Sequence, residues 1–194
     1  MRQFSLSVLT LFSIVILLGS CKSSDKKKDG AGNGVPSIKE ETISYKVDSL
    51  QMNSFVVYDE NKEGKRPAIL VIHEWWGLND YVKMRARKLA ELGYIAFAVD
   101  MYGNGKMGND PATAGGLATP FYQNTAMAKK HIDTAMEQFK MNELVDTANM
   151  AIMGYCFGGA MSIIAAQLGA NLKGAVSFHG NLNVVPVNKD LLKA

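Results

Sequence analysis

Gly154-Tyr155-Cys156-Phe157-Gly158-Gly159 is the stretch whose reading decides the fold. The run before it, Ala148 to Met153 (ANMAIM), is short, apolar and bounded by polar residues, as a buried strand should be. The run after it, Ala160 to Leu168 (AMSIIAAQL), is long enough for a helix and stops at Gly169. A strand that turns at once into a helix at G-x-nucleophile-x-G reads as a nucleophile elbow. Its glycines permit a tight turn and close packing of helix on strand, while the central side chain is held strained above the sheet. The sulfur of Cys156 then lies at the positive end of a helix, which favours thiolate, the reactive form. The alternative is a small buried cysteine in a Gly-rich turn.

Working outward, the pattern alternates strands and helices. Thr42 to Val47 and Ser54 to Tyr58 read as an opening hairpin around polar Asp48 to Asn53. Ala68 to His73 (AILVIH) is a continuous apolar strand of the kind covered on both faces. Asn79 or Asp80 caps a helix whose Val82, Ala86, Leu89 and Ala90 share one face until Gly93. Tyr94 to Val99 is a further buried strand, ending at Asp100, which is expected to fix the following loop. Met101 to Ala118, rich in Gly and Asn, reads as loop, and Thr119-Pro120 as the start of a helix with Ala128, Ile132, Ala135 and Phe139 inward. Gly174 to Phe178 reads as the last strand. This alternation implies an α/β fold with a doubly wound, mostly parallel sheet behind an N-terminal hairpin. Ligands in such sheets bind beyond the carboxyl ends of the strands. That rim collects His73-Glu74-Trp75, Asp100-Met101-Tyr102, Cys156 and His179.

The chain has 194 residues, 47% of them hydrophobic, enough for one domain with a substantial core. Its net charge of +3 is local: residues 1–29 hold five of the 21 basic and two of the 18 acidic residues, which leaves 16 of each elsewhere. No basic face points to nucleic acid. His73, His131 and His179 are too scattered for a metal site, no phosphate loop is present, and no cofactor is expected.

The first 20 residues read as a targeting segment, with Arg2 ahead of the apolar run Phe4 to Leu18. Leu18-Gly19-Ser20-Cys21 resembles a bacterial lipoprotein signal, in which the cysteine is lipidated and becomes the mature N-terminus. An ordinary secretory signal with an incidental cysteine, or an uncleaved anchor, is the alternative. Residues 21–40 read as a flexible tether and 41–194 as the folded domain. A lipid anchor at Cys21 implies a cell-envelope location, on the periplasmic side or the cell surface, and leaves Cys156 without a disulfide partner.

Val71-Ile72-His73-Glu74-Trp75-Trp76-Gly77-Leu78-Asn79-Asp80, Asp100-Met101-Tyr102-Gly103 and the Gly154–Gly159 elbow, in that order, resemble the dienelactone hydrolase family of α/β-hydrolases. The likeness runs from about Ile43 to the end. It implies Cys156 as nucleophile, Glu74 as the carboxylate that interacts with the resting thiol, and the backbone N–H groups of Trp75 and Phe157 as oxyanion hole. Such donors are worth about 3–4 kcal/mol each in the transition state, and thiolate attack on an ester or lactone carbonyl gives an acyl-enzyme. Glu74 has a plainer alternative, capping the 79–92 helix or pairing with Arg85 or Arg87. Trp75 and Trp76 are expected as pocket wall and packing, with Tyr102 beside them.

Two departures qualify the resemblance. Members that act on dienelactone carry an arginine soon after the D-x-Y motif, whereas Gly103-Asn104-Gly105-Lys106 follows here, and Lys106 lacks the bidentate fork. The triad order in this fold is nucleophile, acid, histidine, with the last two on later strands. The sequence stops at Ala194, one strand past the elbow, so it reads as a fragment without the acid and histidine, and inactive by itself. His179 is expected in the pocket or core rather than as the base. The expected function is carbon-ester hydrolysis of a small ester or lactone; the rival is a non-catalytic envelope lipoprotein that uses the same scaffold for binding.

Overall fold

The computed structural model describes residues 34–184. The expectations for the signal segment, for Cys21 and for most of the tether lie outside those residues. Six strands form one sheet in the order β1-β2-β4-β3-β5-β6. They are β1 (Ile38–Val47), β2 (Leu50–Asp59), β3 (Arg66–Ile72), β4 (Ile95–Val99), β5 (Val145–Tyr155) and β6 (Gly174–Phe178). β1 pairs antiparallel with β2, and β2 antiparallel with β4; the β4–β3, β3–β5 and β5–β6 pairs are parallel.

The helices between the parallel strands cover both faces. All five residues of β4 are buried, and they divide by parity. Ile95, Phe97 and Val99 join one core with the last two helices, α3 (Thr125–Lys140) and α4 (Phe157–Gln167). Ala96 and Ala98 join a second core with Val82, Ala86 and Ala90 of α1 (Asp80–Glu91). A strand buried on both faces must be apolar throughout, which is why YIAFAV shows no alternation. Small alanines on the α1 side let that helix lie close, while the opposite face takes Phe97 stacked on Phe139 at 4.9 Å. Both hairpin strands run further than their apolar clusters suggested, and meet at a two-residue turn, Asp48-Ser49, with Asp48 at φ 53°. β1 starts at Ile38, so Ile38 to Glu40, placed in the tether by composition, are paired with β2.

One segment departs from the sequence reading. Residues 111–118, taken for loop, are helical: α2 runs Pro111–Gln123 and α3 begins only at Thr125. Thr119-Pro120 therefore opens no helix, and Pro120 lies inside α2. The true start is Asp110-Pro111. The Asp110 carboxylate accepts the Ala112 and Thr113 amides at 2.9 and 3.0 Å, and proline at the first helical position gives up no needed donor. Gly115 and Gly116 obscured this cap, because glycine lowers helix propensity without forbidding a helix held by packing. Asn124 ends α2 and caps α3, accepting from the Met127 amide at 2.9 Å.

Candidate active site

The elbow is built as its glycines require. β5 ends at Tyr155, Cys156 takes φ 51° and ψ −113°, and α4 starts at the next residue, Phe157. A Cβ on Gly154 would stand 2.2 Å from the Gly158 carbonyl group, and one on Gly158 would stand 2.2 Å from the Ile72 oxygen. No side chain fits at either point, so α4 reaches the ends of β3 and β5 only with glycine there. Cys156 is a free, half-buried cysteine at the head of α4. Its own amide donates to the Phe178 carbonyl at 2.9 Å, which ties the elbow to the end of β6.

Beyond β3, the segment His73–Gly77 runs past the elbow with the carbonyls of Glu74 to Gly77 each hydrogen-bonded. The Glu74 oxygen accepts from the Gly77 amide at 3.2 Å and lies 2.5 Å from His73 Nδ1. The Trp75 oxygen accepts from the Tyr102 hydroxyl at 3.0 Å, and the Trp76 oxygen from the Gly108 amide at 3.0 Å. Among the described residues, neither the Trp75 nor the Phe157 amide donates to a protein acceptor. These are the two N–H groups that the resemblance implies for an oxyanion hole; Phe157 is the first residue of α4, where amides have no intrahelical partner.

Asp100 fixes the neighbouring loop, as its position suggested. Its carboxylate accepts the amides of Asn53, Gly103 and Gly105 at 3.1, 2.8 and 3.1 Å. Tyr102, on that loop, packs edge-on against His73 at 4.6 Å and tilted against Phe157 at 5.5 Å. Tyr122 of α2 packs edge-on against Phe157 at 5.6 Å. Burial raises both tyrosine hydroxyls above their ordinary value, and a negative charge on Cys156 raises them further, so both remain protonated beside a thiolate. Tyr122 was not singled out from the sequence; the Asp110-Pro111 cap, which puts it on a helix with Ala118 and Phe121, was the available signal.

The Glu74 side chain is half-buried and makes none of its plainer contacts. The helix cap is Asn79, whose side chain accepts from Val82 at 3.3 Å. Arg87 pairs with Glu40. Arg85 donates to the Tyr81 hydroxyl at 3.0 and 2.6 Å and covers the Tyr155 ring, with Glu74 only a further, weaker influence on its raised pKa. Trp75 and Trp76 lie edge to face at 5.0 Å, both half-buried. His179 lies outside the core: it is exposed at the end of β6 with φ 47°. Among the described residues no group of acidic, His or Cys side chains could hold a metal ion.

A mostly parallel sheet wrapped by helices, with a strained cysteine elbow at its carboxyl rim, defines an α/β-hydrolase. Comparison narrows this. The profile of the dienelactone hydrolase family matches residues 52–193, and the chain belongs to that family. It is 31% identical over 132 residues to a candidate carboxymethylenebutenolidase of Aquifex aeolicus (strain VF5), covering 66% of this chain and 57% of that one. The crystal structure of a dienelactone hydrolase-like promiscuous phosphotriesterase, P91, from metagenomic libraries superposes with a TM-score of 0.72 at 33% identity, over 74% of this chain and 60% of that one. The structure titled m3DLH gives a TM-score of 0.75 at 31% identity, over 81% of this chain and 64% of that one. The chain thus spans little more than half the length of the Aquifex relative.

Proposed function

We propose that the protein hydrolyses small carboxylic esters or lactones through an acyl-enzyme on Cys156. The observation that carries this reading is the backbone of Cys156, held at φ 51° and ψ −113° at the head of α4, together with the Trp75 and Phe157 amides, which have no protein acceptor among the described residues. Such a conformation costs of the order of 1–3 kcal/mol and is kept where it aims a side chain. In the proposed step the Cys156 thiolate adds to the ester carbonyl carbon, and the carbonyl electron pair moves to oxygen. The Trp75 and Phe157 N–H groups hold that oxyanion. Collapse breaks the bond to the alkoxy or aryloxy group, which leaves with the electron pair, and the acyl group stays on sulfur as a thioester. Glu74 is proposed to hold the thiol before substrate arrives.

Deacylation needs a base to activate water. Among the described residues His73 is sealed in hydrogen bonds and His179 has no acid to orient it, so the described residues are proposed to carry the reaction as far as the acyl-enzyme. Turnover is assigned to the protein with the acid and histidine that the family carries on later strands. The anchor at Cys21 and the envelope location are proposed on the Leu18–Cys21 motif alone; palmitate labelling that survives Cys21→Ala overturns them. For the activity, Cys156→Ala in a chain extended through its reading frame is expected to abolish hydrolysis of p-nitrophenyl acetate. Retained hydrolysis overturns the assignment of the nucleophile.

A further inference from the structure

We infer that His73 is a positioning residue that aims the Trp75 amide into the oxyanion hole by gripping the opposite end of the same peptide group. The inference rests on the oxyanion-hole reading above. His73 follows the last residue of β3 and is fully buried. Its Nε2 accepts the Met101 amide at 3.3 Å, so that nitrogen carries no proton in the neutral ring. The proton is therefore on Nδ1, 2.5 Å from the Glu74 carbonyl oxygen, which can only accept. Two hydrogen bonds to backbone groups thus fix the tautomer and the ring plane together.

The Glu74 carbonyl and the Trp75 N–H belong to one planar peptide unit. No peptide bond is cis, so the two bonds point in opposite directions, and holding one aims the other. His73 pulls on the carbonyl, and the amide faces away from the imidazole. The donor also polarises the peptide, strengthening the N–H as a donor in turn. The ring is itself clamped. Phe157 stacks on it at 5.6 Å and 19°, and Tyr102 packs edge-on against it at 4.6 Å while its hydroxyl holds the next carbonyl, that of Trp75. Phe157 supplies the second proposed oxyanion donor, so one imidazole touches the frame of both. Burial keeps the ring neutral, with a pKa lowered to about 4, against the opposing pull of the Glu74 carbonyl and Asp100.

The test separates oxyanion stabilisation from general damage. Acylation of Cys156 by p-nitrophenyl acetate passes through an oxyanion; alkylation of the same thiol by iodoacetamide does not. Both are followed as mass adducts on the Cys156 peptide of the full 194-residue chain. His73→Leu, which removes both hydrogen bonds, is expected to slow acylation by about tenfold or more, approaching the hundredfold or greater loss typical of a missing oxyanion donor. Alkylation is expected to change by less than about twofold, because it needs no such donor. His73→Asn, whose side-chain amide occupies the place of Nδ1–H, is expected to restore most of the acylation rate. Equal loss of both reactions, no loss in His73→Leu, or no rescue by His73→Asn overturns the inference.

A wild-type chain that takes iodoacetamide but no acyl group condemns the nucleophile assignment instead, and the positioning is then decided by nitrogen NMR. A ring protonated on Nδ1 and bare on Nε2, with a Trp75 amide resonance displaced in His73→Leu, supports it. An Nε2-protonated ring, or an unmoved Trp75 resonance, refutes it. Should His73→Leu fail to fold, the wild-type nitrogen spectrum decides: a ring protonated on Nδ1 supports the inference and one protonated on Nε2 overturns it.

Discussion

Acidification from pH 7 to pH 4 is expected to remove stability through one imidazole. His73 is fully buried and its pKa is lowered from 6.5 to about 4, chiefly by burial. The sign follows from proton counting. Between those two values the unfolded chain takes up a proton that the folded one refuses, so stability rises with pH across the window and falls on acidification. The difference of 2.5 pH units, at about 1.4 kcal/mol per unit, amounts to ~3.5 kcal/mol, of which ~3 kcal/mol is lost between pH 7 and pH 4 and the rest just below. That is a large share of the 5–15 kcal/mol typical of a domain. His131, also lowered by burial, acts in the same direction. Glu40, Asp110 and Asp146, held low mainly by hydrogen bonds to Arg87, Thr113 and Asn149, lose their contributions at more acid pH. The assay is urea unfolding of wild type and His73→Asn at pH 7, 5.5 and 4, where only the His73 contribution differs. Wild type should lose about 3 kcal/mol more than the variant. Parallel losses would refute a neutral, sealed His73.

Two substitutions at the elbow test its construction. Cys156→Gly is expected to raise stability by about 1 kcal/mol while removing every reaction of the site, since φ 51° with ψ −113° is a backbone geometry that glycine adopts freely; thermal unfolding that shows a loss would count against a strained elbow. Gly158→Ala is expected to cost about 2 kcal/mol or more, because its methyl group would stand 2.2 Å from the Ile72 oxygen and 2.6 Å from that of His73. An unchanged melting temperature would mean that α4 does not approach β3 so closely.

Much of this architecture was legible because it rests on local signals. β3 and β4 are unbroken apolar runs, α1 has its cap at Asn79, and the elbow carries its glycines at the spacing the turn needs. Asp100 was legible as a loop-fixing carboxylate from its place at a strand end, and three amides converge on it. What escaped was of two kinds. The start of α2 was hidden by Gly115 and Gly116, whose low propensity outweighed the Asp110-Pro111 cap in a local reading, and Tyr122 was lost with it. The work of His73 was illegible for another reason: its partners are a carbonyl and an amide, groups that every residue carries, brought together by the ends of β3 and β4. For Glu74, the structure removes the contacts that competed with a role at the thiol, since Asn79 caps α1 and Glu40 takes Arg87.

The central claim, that Cys156 accepts an acyl group with help from two backbone amides, is tested most directly by a single mixing experiment. The 194-residue chain is incubated with p-nitrophenyl acetate, digested at mildly acid pH to preserve thioesters, and the acetyl group located by mass spectrometry. One acetyl per chain on the peptide containing Cys156, lost to hydroxylamine and absent from Cys156→Ala, is the result expected. An acetyl group found only on lysines or on Cys21, while Cys156 still reacts with iodoacetamide, would contradict the account.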